Sequence, residues 1–248
     1  MLYLYILFIF IIILILILIL ILILYNYVNF LNNNYINNFL KNDNDNYINN
    51  MSIYDIRARN KISKKDYKEK IINLTYKLNL LENIKIIFLC IKVDIFFYNL
   101  KSYYLPKNHN INKIKWNLCF MKNNLYEEGL PHTRENIIFL PKYLLNVDNN
   151  TLIKILIHEK IHIYQRYNNI KMTKHLKKIG YNKYKKRKNI ILIRSNPDID
   201  NYIYIDNKNK LMYYEYKTNF PININDIKKN NLYEHPYEMI SYIIEKEW

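Results

Sequence analysis

Ile157-His158-Glu159-Lys160-Ile161-His162-Ile163 is the stretch on which the reading of this chain turns. On a helix, residues four apart lie on one face about one turn apart, so His158 and His162 can both aim a ring nitrogen at a single cation. Glu159 is rotated by roughly 100° from His158. It therefore lies near such a cation without being a ligand, where a carboxylate can take a proton from a water. The flanks predict the helix itself. Asp148, Asn149, Asn150 and Thr151 supply capping side chains, and Leu152, Ile153, Ile155, Leu156, Ile157, Ile161, Ile163 and Tyr164 leave the helix apolar on most sides, as a buried helix is. The bland alternative is a chance match in a core helix. The capped, apolar setting and a downstream partner argue against it.

The segment resembles the active-site helix of the HExxH zinc metallopeptidases, the zincins. The resemblance implies that His158 and His162 bind one zinc ion per chain and that Glu159 is the general base. One departure is Lys160, where the family usually has an uncharged residue, so a charge has to reach solvent or a partner. The extended pattern HExxHxxGxxH is absent, since Gln165 replaces its glycine and Asn168 its last histidine, which removes the metzincin branch.

Zinc takes a third protein ligand and keeps a fourth position open. The candidates lie in Glu234-His235-Pro236-Tyr237-Glu238-Met239-Ile240-Ser241-Tyr242. Pro236 suits the first turn of a helix whose apolar face is Met239, Ile240, Ile243 and Ile244. Glu238-Met239-Ile240-Ser241 looks like the second helix of gluzincins, in which a glutamate binds zinc and a small residue three positions on lets two helices approach. That likeness implies Glu238 as third ligand. Glu234 and His235 remain alternatives, and attraction of Glu238 to a helix N-terminus would account for the residue type alone. The likeness further implies an oxyanion-steadying group, for which His235, Tyr237 and Tyr242 are the nearest candidates among 26 tyrosines and six histidines. Similar layouts occur in poorly characterised zinc peptidases of AT-rich genomes, including those of large DNA viruses. The resemblance covers these two segments and the order of elements between them.

The 248 residues hold one domain of ordinary size with an N-terminal appendage. Composition is skewed to Ile, Asn, Lys and Tyr, with two glycines and the single alanine Ala58, as an AT-rich coding sequence produces. The net charge of +16 is discounted accordingly, and nucleic acid is an unfavoured partner. Cys90 and Cys119 read as buried thiols rather than a disulfide or ligands. Residues 1–24 form an uncharged apolar run, about 36 Å as a helix, against a hydrocarbon core of about 30 Å. It reads as a retained single-pass transmembrane anchor in preference to a cleaved signal peptide, because no basic stretch precedes it and no small-residue cleavage site comes after it. The side of the membrane is barely encoded, with Lys41 beside Asp43 and Asp45.

Residues 25–51 read as an Asn-rich linker and 52–248 as the folded domain. Ser63 and Asp66 suggest a capping box opening an amphipathic helix through Tyr67, Ile71, Leu74, Leu78 and Leu81. The β-branched run Ile84 to Phe97 predicts one or two buried strands, and Lys113 to Phe120 a half-buried strand. Ile137-Ile138-Phe139-Leu140, closed by Pro141, predicts a further strand. In zincins the corresponding strand is a sheet edge that pairs with extended peptide, so the resemblance implies substrate binding at these four residues. Lys174 to Lys188 reads as a basic loop, and Asn201 to Ile205 with Leu211 to Tyr216 as a β-hairpin. The expectation is a membrane-anchored zinc metallopeptidase with an α+β zincin-like domain that cleaves peptide or protein substrates. Its rival is an inactive, membrane-tethered binding protein of the same fold that holds an anionic partner by the basic loop.

Overall fold

The sheet that carries the site is built around Trp116–Met121, whose side chains are buried on both faces. In the computed structural model, residues 3, 5, 6, 8–12, 26–188 and 191–248 are described. Along the chain run β1 (Val28–Phe30), α1 (Asn33–Asn42), α2 (Ile53–Ala58), α3 (Lys64–Ile71), β2 (Thr75–Tyr76), α4 (Leu80–Asn99), β3 (Trp116–Met121), β4 (His132–Arg134) and β5 (Ile137–Pro141). Then come α5 (Asn149–Tyr167), α6 (Asn169–Lys178), β6 (Asn182–Lys186), β7 (Tyr202–Ile205), β8 (Leu211–Met212), β9 (Tyr214–Tyr216), β10 (Ile227–Lys229) and α7 (Pro236–Ile244). The α+β class expected from the sequence holds.

The five-stranded sheet has the order β1-β3-β5-β4, with β2 alongside β3. β1 and β5 run parallel to β3, whereas β4 is antiparallel to β5. Period-two alternation sends Trp116, Leu118, Phe120, Ile138 and Leu140 into a core shared with α4, α5 and α7. Cys119, Met121, Ile137 and Phe139 point the other way, against Ile36 and Leu40 of α1 and Tyr67 and Ile71 of α3. Helices thus cover both faces, and β3 is buried at every residue but Asn117 rather than half-buried as expected. Cys90 and Cys119 are free, buried thiols, as expected.

Four expectations are corrected. Residues 28–51 are not a linker: β1 pairs with β3, and Ile36, Leu40, Ile48 and Met51 are buried. Asparagines cap this region, as Asn32 does for α1, while its few apolar residues make the contacts. The helix opened by Ser63 stops at Ile71, because Ile72 is extended and Asn73 adopts a left-handed φ of 60°. Residues 84–97 are helix, not strand. A reciprocal cap between Asn79 and Glu82 starts α4, and the buried Ile86, Cys90, Val93 and Phe97 recur at spacings of four and three, so packing overrides β-propensity.

The fourth concerns the anchor. Among the described residues no helix is long and apolar enough to cross a membrane. Of the expected span, residues 3, 5, 6 and 8–12 are described, and these are helical. Residues 1, 2, 4, 7 and 13–24 lie outside the described residues. The single-pass anchor, the membrane localisation and the membrane as a partner are therefore unsupported.

Candidate metal centre

α5 begins where the sequence predicts, with the Asp148 carboxylate accepting from the Thr151 amide at 2.9 Å. α7 begins at Pro236, with His235 as N-cap. The two helices pack together, and Ser241 is wholly buried on α7, as expected of a small residue beside a neighbouring helix. This packing brings together residues 76 positions apart in sequence. One ligand atom each from His158, His162 and Glu238 lies within 4.8 Å of the others.

The spacings suit one cation. His158 Nε2 is 3.4 Å from Glu238 Oε2, and His162 Nε2 is 3.9 Å from Glu238 Oε1. A tetrahedral ion with bonds of about 2.1 Å holds its ligands roughly 3.4 Å apart. Both rings are oriented through their other nitrogen, His158 Nδ1 at 2.8 Å from Glu245 Oε2 and His162 Nδ1 at 2.8 Å from Gln165 Oε1. Such acceptors leave the Nε2 lone pairs facing the cluster. Gln165 is itself held, donating to the Tyr237 carbonyl at 3.1 Å. Asn196 Nδ2 donates to Glu238 Oε1 at 2.7 Å and also to Glu234 Oε1 at 2.7 Å.

Two buried atoms here have no hydrogen-bond partner, His162 Nε2 and Glu159 Oε2. Buried polar atoms are normally satisfied, so an orphan pair beside converging ligands fits a bound cation. The electrostatics divide between the members of the cluster. Burial drives His162 down to about 3, so its ring is neutral and free to coordinate. Burial would lower His158 too, but hydrogen bonds with Glu238 and Glu245 outweigh it and hold that ring well above the ordinary range. Burial opposes ionisation of Glu238, yet His162, His158 and Asn196 hold it well below the ordinary carboxylate range. Glu159 is pushed well above that range by burial, reinforced by the nearby Asp198 and Glu238 carboxylates. His158, His162 and Glu238 can therefore hold a metal ion.

The cluster opens onto a cleft of about 820 Å³ whose lining includes Glu159, Tyr242, His132, Asp198 and Arg194. Of the three oxyanion candidates only Tyr242 lines it, its ring edge-on to His158 with centroids 4.7 Å apart. His235 is turned away, fully buried, with Nε2 3.1 Å from Asp200. The Tyr237 hydroxyl is buried without a partner and does not line the cleft. Of the alternative third ligands, His235 is thus excluded, and Glu234 is engaged by the Arg194 guanidinium.

Substrate pairing along Ile137 to Leu140 is corrected. β5 is interior, flanked by β3 and β4, and these four residues are at most 1% exposed. β4 is the edge, but it is closed. Thr133 donates its amide to Asp198 at 2.6 Å, and its carbonyl accepts from Arg166 at 3.2 Å. Neither strand offers free main chain at Thr133 or in β5 for strand addition.

Lys160 is turned away from the cluster. Its fully buried ammonium pairs with Asp94 of α4 and lies 3.9 Å from the Trp116 ring centroid. Trp116 Nε1 and the Tyr27 hydroxyl also donate to Asp94. The basic segment is not a plain loop, since it forms the end of α6 and the exposed strand β6. The hairpin β7–β8 forms as expected, turning at Asp206, whose carboxylate accepts from the Lys208 and Lys210 amides, both at 2.9 Å. Residues 211–216 divide between β8 and β9, which belong to different sheets.

Sequence reasoning missed Gln165, Asn196, Glu245, His132 and Asp198. Gln165 was within reach, one turn beyond His162 on the same helix, and Glu245 lies two turns beyond Glu238. Nothing in the local pattern marks Asn196, Asp198 or His132. No known family model, no curated protein and no solved structure matches this chain.

Proposed function

We propose that the chain is a zinc-dependent peptidase, its metal held by His158, His162 and Glu238. The observation that carries the reading is the convergence of a partnerless, buried His162 Nε2 on His158 and Glu238, with Glu159 Oε2 also partnerless alongside. Two imidazoles and one carboxylate, each imidazole oriented through Nδ1, are a donor set suited to zinc. When bound, zinc supplies a Lewis acid that polarises a carbonyl and lowers the pKa of a water toward about 7.

The chain's own residues supply the rest. Glu159 accepts a proton from the attacking water at its carboxylate and returns it to the amine nitrogen as the C–N bond breaks. Tyr242, which lines the cleft beside His158, would donate a hydrogen bond from its hydroxyl to the oxyanion. Asn196 and Glu245 hold Glu238 and His158 in position.

Metal analysis by mass spectrometry on the full chain is the first test. About one zinc per chain, lost in Glu238→Ala, is the expected result. Glu159→Gln should keep that zinc and lose hydrolysis of a peptide library. Full activity in Glu159→Gln would refute the mechanism, and a folded wild-type chain without zinc would refute the site. Zinc without turnover would favour the rival binding protein, although Lys160, which with the long loop is its specific support, is neutralised by Asp94.

A further inference from the structure

Beyond the three ligands the lining of the cleft includes two buried acceptors, Asp198 and His132 Nε2. Asp198 is 9% exposed, and its Oδ1 is fixed by the Thr133 amide at 2.6 Å and the Thr133 hydroxyl at 2.8 Å. No Lys, Arg or His nitrogen among the described residues is ion-paired with it. Arg166, whose field reaches Asp198, spends its guanidinium on the carbonyls of Glu135, Thr133 and Pro197 and on the Thr133 hydroxyl. Burial and the Glu238 carboxylate accordingly push Asp198 up to about 6, as befits a carboxylate lacking a cationic partner.

His132, adjacent in sequence to the residue that fixes Asp198, provides an independent sign. It is 3% exposed and lines the same cleft, and its Nε2 has no partner. Nδ1 lies 2.9 Å from the Leu130 carbonyl and so carries the proton, which leaves Nε2 as a lone pair. Burial lowers the affinity of this ring for a second proton.

We propose that the cleft selects its substrate by a protonated amine, bound by the Asp198 carboxylate with His132 Nε2 as a second acceptor. The inference rests on the reading of the cleft as a hydrolytic site and names the substrate class it takes. Two buried acceptors call for a donor-rich ligand, and an ammonium brings three N–H groups. Four carboxylates, Glu159, Asp198, Glu238 and Glu245, line the cleft. A second metal is disfavoured, because among the described residues only His158, His162 and Glu238 converge closely enough to hold one. Lys229 and Lys246 also border the cleft, but both are solvent-exposed, where their charge is screened over about 10 Å.

The ammonium could come from a lysine side chain or from a chain N-terminus, and calorimetric titration of the full chain separates the two. The charged probes are N-acetyl-lysine methylamide and leucine methylamide. Their neutral comparators are N-acetyl-norleucine methylamide and N-acetyl-leucine methylamide. One charged probe should bind at least about tenfold more tightly than its comparator, the gain of one charge-assisted hydrogen bond. Asp198→Asn should abolish that preference with zinc content and melting temperature kept. Equal binding of charged and neutral probes, no binding of either charged probe, or a preference that survives Asp198→Asn would overturn the proposal. If Asp198→Asn does not fold, His132→Asn replaces it, and an undiminished preference there counts against the proposal equally. Zinc content measured on the same samples reports separately on the hydrolytic reading.

Discussion

Two buried polar clusters differ in how their charges are matched. In the first, Arg59 pairs with Glu127 and donates to the Asp55 carbonyl at 2.9 Å, while the Tyr67 hydroxyl donates to Glu127 at 2.7 Å. Beside it, Arg134 pairs with Asp43 at 2.6 Å and with Asp45, and donates to the Tyr126 hydroxyl at 2.9 Å. Each of these charges meets an opposite one within the protein. At His158, His162, Glu159 and Glu238 the groups converge, but two buried atoms stay without partners. Matched burial holds a fold together, whereas unmatched convergence is the mark of a site built for something else to bind.

That comparison can be broken at several points. The largest effect should come from Glu127→Ala, which strands the Arg59 guanidinium in a dry environment at a cost of about 3–5 kcal/mol. Urea unfolding measures it, and a loss below about 1 kcal/mol would mean the first cluster is not structural. Chelation should come next. At a thousandfold excess over Kd a bound ion adds about 4 kcal/mol, so its removal should lower Tm by roughly 8–16 °C for a domain of this size. The Glu238→Ala chain should show almost no response to chelator. A response equal to wild type would place the ion elsewhere.

Asn196→Ala sharpens the contrast, because it touches the third ligand without being one. It should weaken zinc binding about ten- to a hundredfold, read by competition with a chromophoric chelator, with little change in unfolding free energy of the metal-free chain. The smallest effect is a pH dependence of the matched cluster. Burial opposes ionisation of Glu127, but the Arg59 guanidinium beside it lowers its carboxyl to about 2, below its ordinary value of 4.5. A lowered folded-state pKa contributes stability that is fully present above about 4.5 and is lost as pH falls through about 2. The stability gap between wild type and Glu127→Gln should therefore narrow across that acid window and stay constant from pH 5 to 8. A constant gap down to pH 2 would contradict the assignment.

The same contrast shows what was legible in advance. The candidate metal cluster was read from the helical spacing of His158 and His162 in α5 and from the likeness of the segment opened by Pro236 to a gluzincin helix, which left Glu234 and His235 beside Glu238 as alternatives. The Arg134 cluster was not, since its partners Asp43 and Asp45 lie 91 and 89 residues away in a stretch whose asparagines suggest a linker. Lys160 raised a question that only Asp94, 66 residues upstream in a helix expected to be strand, could answer. The edge expected at β5 failed for a related reason. Both β4 and β5 are short apolar or mixed runs, and only the antiparallel return of β4 decides which of them is outermost.

By itself the sequence determined the two helices that carry the candidate ligands, the cap of the first and the pairing of His158 with His162, because helical phase and capping are settled within a turn or two of chain, whereas the packing of the helices decided for Glu238 over Glu234 and His235. The tertiary structure alone decided that residues 84–97 are helix, that residues 28–51 belong to the fold, and that Asp198 and Arg166 close the edge at Thr133. It likewise decided that Asn196 positions Glu238. Those outcomes depend on burial and on charge pairing between segments far apart in the chain, and no local pattern encodes which distant group will arrive.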